Sequence, residues 1–397
     1  MMQIPKYKTL AGLSFPPAEI VPGHTQFTVQ NTTEEEVIAY AEMLSEEGFS
    51  LYDKKVKPAG SEKPYNRNLF YTYINEEQNI FIFWAAGIRT VHIVTSPCLP
   101  LPKTEKIPSP SKMHPKLFQL KLALGSIYAV HLADNHFVLM DGSLDGEGDP
   151  EALYAFLKEK SGEETPRIAM WMFTHPDSDH IRLATVFLKA FAGKVDIEGF
   201  AYQFNDCEKA KFVYIDSAII GEEIQAFEES IKTNFPHVPV YTLHAGQSYF
   251  FPGVEIEILL TADTIYPYPY ASANDVSAAW RLKTAEKTFL FLGDCMQYSC
   301  RELASIYGDY VKSDILQLAH HGLIGGEIGL YKLVDPMVCL WYTSENRFLG
   351  KVPNQKYQWC LGEGGCDYNR WIRDESVRKR EHYHLGKTTE IDLGPGM

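Results

Sequence analysis

Two histidines and two aspartates fall within six residues of the chain, directly after an apolar run. The segment is RIAMWMFTHPDSDHIRLATVFLKAF, residues 167–191, and the four side chains are His175, Asp177, Asp179 and His180. Imidazole nitrogens and carboxylate oxygens are groups with which proteins bind Zn²⁺ and harder divalent ions. Four of them at this spacing predict a metal site, whereas a single His–Asp pair would be typical of an ordinary polar surface.

The cluster lies between a predicted strand and a predicted helix. Residues 168–173 are almost continuously apolar, as in a strand that is buried on both faces. Apolar residues then recur at helical spacing over 179–192. Ligands in α/β proteins gather at the carboxyl ends of strands. Asp179 also suits the N-terminus of a helix, so a simple capping role is the alternative interpretation of this residue.

Two later segments end in the same way. The strand predicted in TFLFLGDCM (288–296) ends at Asp294, and the strand predicted in DILQLAHHG (314–322) ends at His320 and His321. We expect the three strand ends to meet at one edge of the fold. A carboxylate shared by two ions about 3.5–4 Å apart is typical of dinuclear centres. The predicted metal ligands are therefore His175, Asp177, Asp179, His180, Asp294 and His320.

These motifs resemble those of the metallo-β-lactamase superfamily. THPDSDHI is similar to its His-x-His-x-Asp-His motif, LFLGDC to its Gly-Asp motif with the metal-bridging carboxylate, and LQLAHHG to its late histidine motif. HFVLMDGS (136–143) resembles the first motif, in which Asp141 matches a residue that positions the ligands. The resemblance covers about 117–345. It implies an α/β fold, an αββα sandwich with a dinuclear site along one edge of its two sheets.

Within the superfamily, the chain resembles most the hydrolase domain of bacterial DNA-uptake competence channels. ASANDVSAAWRL (271–282) is similar to the Asn/Ser stretch that precedes the Gly-Asp strand there. The resemblance implies a phosphodiester substrate. The channel helices of that branch have no counterpart in this sequence, so uptake of DNA is not implied.

Two positions depart from the superfamily pattern. Asp177 stands where the second motif has its second histidine, and Asn274 stands where the third motif has a histidine. One metal position therefore gains oxygen in place of imidazole, which favours Mn²⁺ or Fe²⁺ and still admits Zn²⁺. We expect two divalent ions, with Asp141 and Asn274 as supporting residues. For Asn274, the roles of weak ligand and turn residue are both open.

The late motif leaves a choice between two histidines. His320 aligns with the family ligand, so His321 is expected to act in catalysis together with Asp179, by contacting the leaving oxygen. The alternative assignment makes His321 the ligand. The expected reaction is hydrolysis by a metal-bound hydroxide, in which the ions also stabilise charge on the substrate oxygen.

The composition limits the partners. Lys and Arg number 37 against 51 Asp and Glu, a net charge of −14, which disfavours a surface that binds long nucleic acid. A small phosphorylated molecule held by metal ions is compatible with this charge. No apolar run approaches the ~20 residues of a membrane span, and the first residues show no apolar signal core. Because seven cysteines without a CxxC pair indicate a reduced protein, we expect a cytoplasmic enzyme without membrane association and leave its oligomeric state open.

A proline-rich connector divides the chain. Six prolines lie within 97–115, and proline both fixes φ and removes a backbone donor. We expect a small α+β accessory domain over 1–115 and the hydrolase domain over 116–397. In the first, a helix is predicted after the capping residue Thr33. An antiparallel meander follows, in which His92 is expected to face solvent.

The expected function is that of a dinuclear metallo-hydrolase acting on a small phosphodiester. A lactone, thioester or amide substrate is the alternative on the same fold, because a fold does not determine the substrate. Outside hydrolysis, the motifs are also compatible with a redox enzyme that has a di-iron centre and with a non-catalytic metal-binding module. The carboxylate of Asp177 favours the redox enzyme, and the amide of Asn274 favours the binding module.

Overall fold

In the computed structural model, the strands of the described residues form three sheets, of five, eight and seven strands. The two larger sheets pack face to face, with helices on their outer faces. The αββα sandwich predicted from the sequence is therefore confirmed. The described residues are 15–56, 67–109, 113–122, 125–205, 217–266, 272–349, 367–374 and 380–394.

The N-terminal sheet is antiparallel throughout. Its strands are β1 (Thr25–Gln30), β2 (Ser50–Val56), β3 (Leu69–Ile74), β4 (Gln78–Ala85) and β5 (Thr90–Pro97). They lie in the order β1-β5-β4-β3-β2, so the predicted meander is confirmed. Helix α1 (Glu34–Glu46) covers one face with Val37 and Leu44. It begins as predicted, because the Thr33 hydroxyl accepts the Glu36 N–H and the Glu36 carboxylate accepts the Thr33 N–H.

The second sheet joins hairpins to parallel strands. Its strands are β6 (Lys116–Gln119), β7 (Tyr128–His131), β8 (Phe137–Met140), β9 (Arg167–Met172), β10 (Asp196–Ile197), β11 (Phe200–Tyr202), β12 (Val240–Thr242) and β20 (Thr389–Asp392). The order is β12-β11-β9-β8-β7-β6-β20, with β10 beside β9. Its outer face carries helices α2 (Asp149–Ser161), α3 (Ser178–Ala190) and α4 (Ser217–Asn234). The single strand predicted over 195–202 is divided into β10 and β11, both of which pair with β9 in the same register.

The third sheet follows chain order from edge to edge. Its strands are β13 (Ser248–Phe251), β14 (Val254–Leu260), β15 (Ala279–Lys283), β16 (Thr288–Phe291), β17 (Ile315–Gln317), β18 (Val338–Trp341) and β19 (Glu381–His384). The last four strands are parallel neighbours. Its helices are α5 (Ala262–Ile265), α6 (Gln297–Tyr307), α7 (Ile328–Val334), α8 (Glu345–Phe348) and α9 (Asp367–Asp374). None of the helices in the described residues combines the length and the apolar character needed to cross a bilayer.

Aromatic residues fill the space between the two larger sheets. Tyr128 of β7 packs edge-on against Phe291 of β16, with ring centroids 5.2 Å apart. Trp171 and Trp280 are fully buried in the same core. Each side chain of this size removes roughly 150–250 Å² from water. The sandwich therefore holds the ends of its central strands at fixed positions relative to each other.

The second face of the N-terminal sheet packs against the third sheet and its helices. Phe81 and Phe83 of β4 belong to one hydrophobic cluster with Leu260, Leu292 and Tyr307. All five side chains are buried, so they pack against each other without contact with water. The N-terminal unit and the remainder of the chain thus share a core.

The expectation that His92 faces solvent is wrong. Its side chain is 3% exposed, because α1 covers one face of the sheet and the sandwich covers the other. On the sandwich side lie His244 and Asp263, whose Nδ1 and Oδ2 atoms are 2.6 Å apart. A cavity of about 10 Å³ lies among these three side chains, a volume that suits a single water molecule.

Candidate metal centre

Polar side chains follow the carboxyl ends of four strands at one edge of the sandwich. Asp141 follows β8 and His175 follows β9, and these strands are parallel neighbours in the second sheet. Asp294 follows β16, while His320 and His321 follow β17, its parallel neighbour in the third sheet. The carboxyl ends of parallel strands meet at one edge. The fold therefore brings together residues that are far apart in the sequence.

A first group consists of His175, His180 and Asp294. One ligand atom of each lies within 4.8 Å of the other two. His180 Nε2 is 3.2 Å from Asp294 Oδ1, and His175 Nε2 is 4.0 Å from Asp294 Oδ2. Asp177 adds an oxygen, because its Oδ2 is 3.6 Å from His175 Nε2. This part of the centre thus combines two imidazoles with two carboxylates.

A second group, by the same criterion, consists of Asp179, His180 and His321. His321 Nε2 is 3.0 Å from Asp179 Oδ2 and 3.3 Å from Asp294 Oδ2. Asp294 consequently reaches both groups, with Oδ1 near His180 and Oδ2 near His321. A carboxylate between two sets of ligands is suited to bridge two ions.

His320 also faces the centre, but its surroundings differ from those of His321. Its Nε2 is 3.5 Å from Asp294 Oδ2, while its Nδ1 is 3.4 Å from the sulfur of Met296. It belongs to neither group of converging ligand atoms among the described residues. His321 thus belongs to a group of converging ligand atoms and His320 does not, and the choice of ligand between them stays a prediction.

The backbone of the late motif is strained. His320 and His321 both lie in the left-handed region, with φ of 50° and 60°. This conformation costs a non-glycine residue roughly 1–3 kcal/mol and persists only where the surrounding structure imposes it. Gly322 continues the turn with φ of 75°, and a Cβ at this position would collide with the Trp341 ring. The tight turn directs both imidazoles towards Asp294.

Several buried ligand atoms make no hydrogen bond within the described part of the chain. They are His175 Nε2, His180 Nε2, His321 Nε2, Asp177 Oδ1 and Asp294 Oδ1. Buried polar atoms nearly always have a partner, and a divalent ion bound among them supplies one. Imidazole nitrogens mixed with carboxylate oxygens fit Zn²⁺, Mn²⁺ or Fe²⁺. The residues present therefore fit the expected metal.

Charge couples the imidazoles to the carboxylates. Burial by itself would raise the pKa of Asp294, but the neighbouring imidazoles, led by His180, hold that pKa well below its usual range. Burial would lower the pKa of His321, yet Asp294 and Asp179 raise it to about 9. The pKa of His180 is likewise raised by Asp294, against the effect of burial. The metal-free centre therefore holds protons that an ion has to displace.

Asp141 holds His180 and the start of the ligand loop in place. Its Oδ2 accepts a hydrogen bond from His180 Nδ1 at 2.8 Å, which turns Nε2 towards Asp294. Its Oδ1 accepts the Thr174 N–H at 2.8 Å. A carboxylate that orients an imidazole in this way fixes its tautomer and strengthens it as a ligand.

Two hydroxyls outside the predicted set of site residues also reach the ligands. Thr174 Oγ1 and Ser277 Oγ lie 2.9 and 3.0 Å from His175 Nδ1. The Asp294 N–H donates to Ser277 Oγ at 3.1 Å. The position of Ser277 in the Asn/Ser stretch was the available signal in the sequence.

Asn274 lies in the 3₁₀ turn Ala273–Val276, just before β15. Its carbonyl accepts the Ser277 N–H at 3.2 Å. Its side-chain Oδ1 is buried and makes no hydrogen bond within the described residues. The contacts are those of a turn residue, and a role as a weak ligand stays a prediction.

Comparisons with solved structures return matches with low TM-scores and low identities. YhfI of Bacillus subtilis, described as a metallo-β-lactamase fold protein, matches with a TM-score of 0.40 and 13% identity, over 70% of this chain and 100% of its own. Zn²⁺-bound PqqB of Methylobacterium extorquens matches with a TM-score of 0.37 and 12% identity, over 68% and 88%. The short form of human tRNase Z matches with a TM-score of 0.37 and 11% identity, over 70% and 100%.

No protein-family model matches the chain, and no curated protein matches it in sequence. At identities this low, the substrates of those proteins are not carried over to this chain. The assignment to the metallo-β-lactamase superfamily therefore stays an expectation from the resemblance of the motifs.

Proposed function

We propose that this chain is a hydrolase that works with two divalent metal ions. The proposed ligands are His175 and Asp177 for one ion, Asp179, His180 and His321 for the other, and Asp294 for both. The position of Asp294 carries this proposal, because it lies between the ligands of both ions: 4.0 Å from His175 Nε2 on one side, and 3.2 and 3.3 Å from the Nε2 atoms of His180 and His321 on the other. When bound, such ions polarise the scissile bond and lower the pKa of a bound water. His320 is the alternative ligand at the second position.

Asp179 is the proposed residue for proton transfer. Its side chain is 34% exposed, whereas that of Asp294 is 2% exposed, so substrate and water can reach it. Partial burial would raise the pKa of Asp179, but His180 and His321 outweigh this and lower it. The carboxylate is therefore ionised at neutral pH, which is the state in which it can accept a proton.

A small phosphodiester is the proposed substrate class. Ligation by Asp177 in place of an imidazole suits a hard ion next to phosphate oxygens. The resemblance of the motifs to the hydrolase domain of competence channels supports the same class. The net charge of −14 disfavours long nucleic acid, whose phosphates require cationic partners. A nucleotide or a phosphorylated head group is therefore expected to be cleaved better than DNA.

Metal analysis tests the centre. Full-length protein purified without chelator or metal-affinity tag is expected to hold about two equivalents of metal, and Asp294→Asn is expected to hold less and to lose activity. Asp196→Asn, at an exposed position on β10, is the control and should match the wild type. Wild-type protein without bound metal would overturn the proposal.

A substrate panel tests the class. Bis(p-nitrophenyl) phosphate, a cyclic dinucleotide, single-stranded DNA, a lactone and a thioester are each assayed with Zn²⁺, Mn²⁺ and Fe²⁺. Turnover of the small phosphodiesters with Mn²⁺ at least equal to Zn²⁺ is the expected result. Turnover of the lactone or thioester alone would replace the substrate class and leave the metal centre standing.

A further inference from the structure

Two hydroxyl groups converge on one ring nitrogen of His175. Thr174 Oγ1 lies 2.9 Å and Ser277 Oγ lies 3.0 Å from His175 Nδ1. All three residues are buried, at 1% exposure or less. Because this nitrogen is shielded from water, the two oxygens decide whether it donates or accepts. That decision also determines which nitrogen of the neutral ring carries the proton.

The Thr174 hydroxyl donates its proton in a hydrogen bond to Asp141. Its oxygen lies 3.0 and 3.1 Å from the two carboxylate oxygens. The same carboxylate receives the Thr174 N–H and the proton of His180 Nδ1, each at 2.8 Å. An ionised carboxylate has no proton to donate, so it accepts the hydrogen bond from each of these groups. The Thr174 hydroxyl therefore donates to Asp141 and presents a lone pair to His175 Nδ1.

Ser277 Oγ is an acceptor as well. The Asp294 N–H donates to it at 3.1 Å, which occupies one lone pair of the oxygen. The second lone pair is available to His175 Nδ1. One hydroxyl oxygen thus connects His175, at the end of a strand in the second sheet, to Asp294, at the end of a strand in the third.

We propose that Thr174 and Ser277 are positioning residues that keep the proton of His175 on Nδ1 and so leave Nε2 free to bind a metal ion. This rests on the proposed function, because it states how His175 is prepared as a ligand. His175 Nε2 has no hydrogen-bond partner in the described structure and lies 3.6 Å from Asp177 Oδ2. The opposite tautomer would direct an N–H into the same space and exclude an ion there.

The tautomer can be measured on the metal-free, full-length protein. Nitrogen-15 spectra of labelled histidine at pH 8 distinguish the Nδ1–H form from the Nε2–H form, and His175→Gln assigns the signal. We expect the Nδ1–H form for His175. The Nε2–H form in the wild type would overturn the proposal, and this outcome depends on no variant that has to fold.

Variants then test the two hydroxyls. Thr174→Val and Ser277→Ala each remove one acceptor, whereas Thr174→Ser keeps it. Ser230→Ala is the control, because Ser230 is a buried hydroxyl on α4 that donates to the Thr185 carbonyl at 3.0 Å. The first two variants should lower the Nδ1–H population and weaken Zn²⁺ binding, measured by calorimetry, about 10–100-fold. Thr174→Ser and the control should retain both properties.

A double variant, Thr174→Val with Ser277→Ala, decides between positioning and mere packing. An unchanged tautomer and unchanged Zn²⁺ affinity in this variant would overturn the proposal. A wild-type protein with the expected tautomer and bound metal but no hydrolysis of any substrate would remove the proposed function alone. An active enzyme with the Nε2–H tautomer would remove the positioning role alone.

Discussion

Asp141 makes His180 dependent on a residue that is not itself a ligand. Its carboxylate accepts hydrogen bonds from His180 Nδ1 and from Thr174. In Asp141→Asn, an amide N–H₂ replaces one acceptor, so one of these donors loses its partner. We expect Zn²⁺ binding to weaken about 10–100-fold, as measured by calorimetry.

The control for this substitution is Asp134→Asn. Asp134 also lies beside a histidine, with Oδ2 3.6 Å from His136 Nδ1, but at a partly exposed turn. Its variant should bind Zn²⁺ as the wild type does. Equal affinities for both variants would show that Asp141 has no part in orienting the ligand.

His321 gives metal binding a pH dependence. Burial alone would lower its pKa, but Asp294 and Asp179 raise it from 6.5 to about 9 in the metal-free protein. A raised pKa in the folded state stabilises the metal-free protein fully below about pH 6.5, and this contribution is lost as the pH rises to about 9. An ion must displace the same proton. Displacement of the His321 proton alone should therefore raise the apparent affinity about tenfold per pH unit in this window.

Proton release on metal binding provides the measurement. Titration of the metal-free protein with Mn²⁺ at pH 7.5, in buffers of different ionisation enthalpy, counts the protons released. His321→Gln is expected to release about one proton fewer than the wild type. Equal counts would mean that His321 carries no proton in the metal-free state.

Among the elements, the turn after β17 places His320 and His321 at the metal centre, so its geometry affects the centre directly. Gly322 has φ of 75°, and a Cβ there would collide with Trp341. Gly322→Ala should therefore cost about 3 kcal/mol, from backbone strain and overpacking together. It should also weaken metal binding, because the turn carries His320 and His321. Chemical denaturation and calorimetry measure the two effects.

Gly162 offers a matched control for this element. It has φ of 69° at the end of α2, and a Cβ there would meet nothing within 4 Å. Gly162→Ala should cost about 1 kcal/mol from backbone strain alone and leave metal binding unchanged. A similar loss in both variants, without loss of metal, would show that the collision with Trp341 has no consequence for the centre.

For the whole molecule, the shared core makes the two parts depend on each other. Residues 98–109 contain no helix or strand, as expected of a connector. Yet Phe81 and Phe83 are buried against Leu260 and Leu292. A fragment of residues 116–397 would expose this apolar face, so we expect it to aggregate in light-scattering measurements and to become soluble on co-expression with residues 1–115. A monomeric, metal-binding fragment would show instead that residues 116–397 fold without the N-terminal part.

The burial of His92 between the N-terminal sheet and the sandwich predicts that the folded protein loses stability in acid. Burial lowers the pKa of His92 to about 4, although Asp263 opposes the shift. The unfolded chain therefore takes up a proton below about pH 6.5 that the folded state does not. Stability should fall as the pH falls from about 6.5 to about 4, by about 3 kcal/mol in total.

His92→Gln tests this in denaturation experiments across that pH range. The variant cannot titrate at this position, so its stability should fall less between pH 6.5 and 4 than that of the wild type. The same replacement at the exposed His237 controls for the loss of a histidine. Parallel pH profiles for wild type and His92→Gln would contradict the prediction.

Local patterns in the sequence determine the elements and their polar ends. The apolar runs before His175 and Asp294 predict strands, and each strand ends where its polar residue begins. The capping pair that starts α1 at Thr33 is predictable for the same reason, because its hydrogen bonds join residues three positions apart. Short strands such as β13 and β19 show no comparable run and become strands through pairing with their neighbours.

Tertiary structure alone decides the contacts between these elements. Ser277 reaches His175 across 102 positions of sequence, and His321 rather than His320 joins Asp179 because a left-handed turn packs against Trp341. His92 alternates with apolar residues as a solvent-facing residue would, but a second layer covers it. Periodicity reports which face of an element is apolar, not what packs on the other face. The partner comes from a distant part of the chain, and its position is set only when the layers assemble.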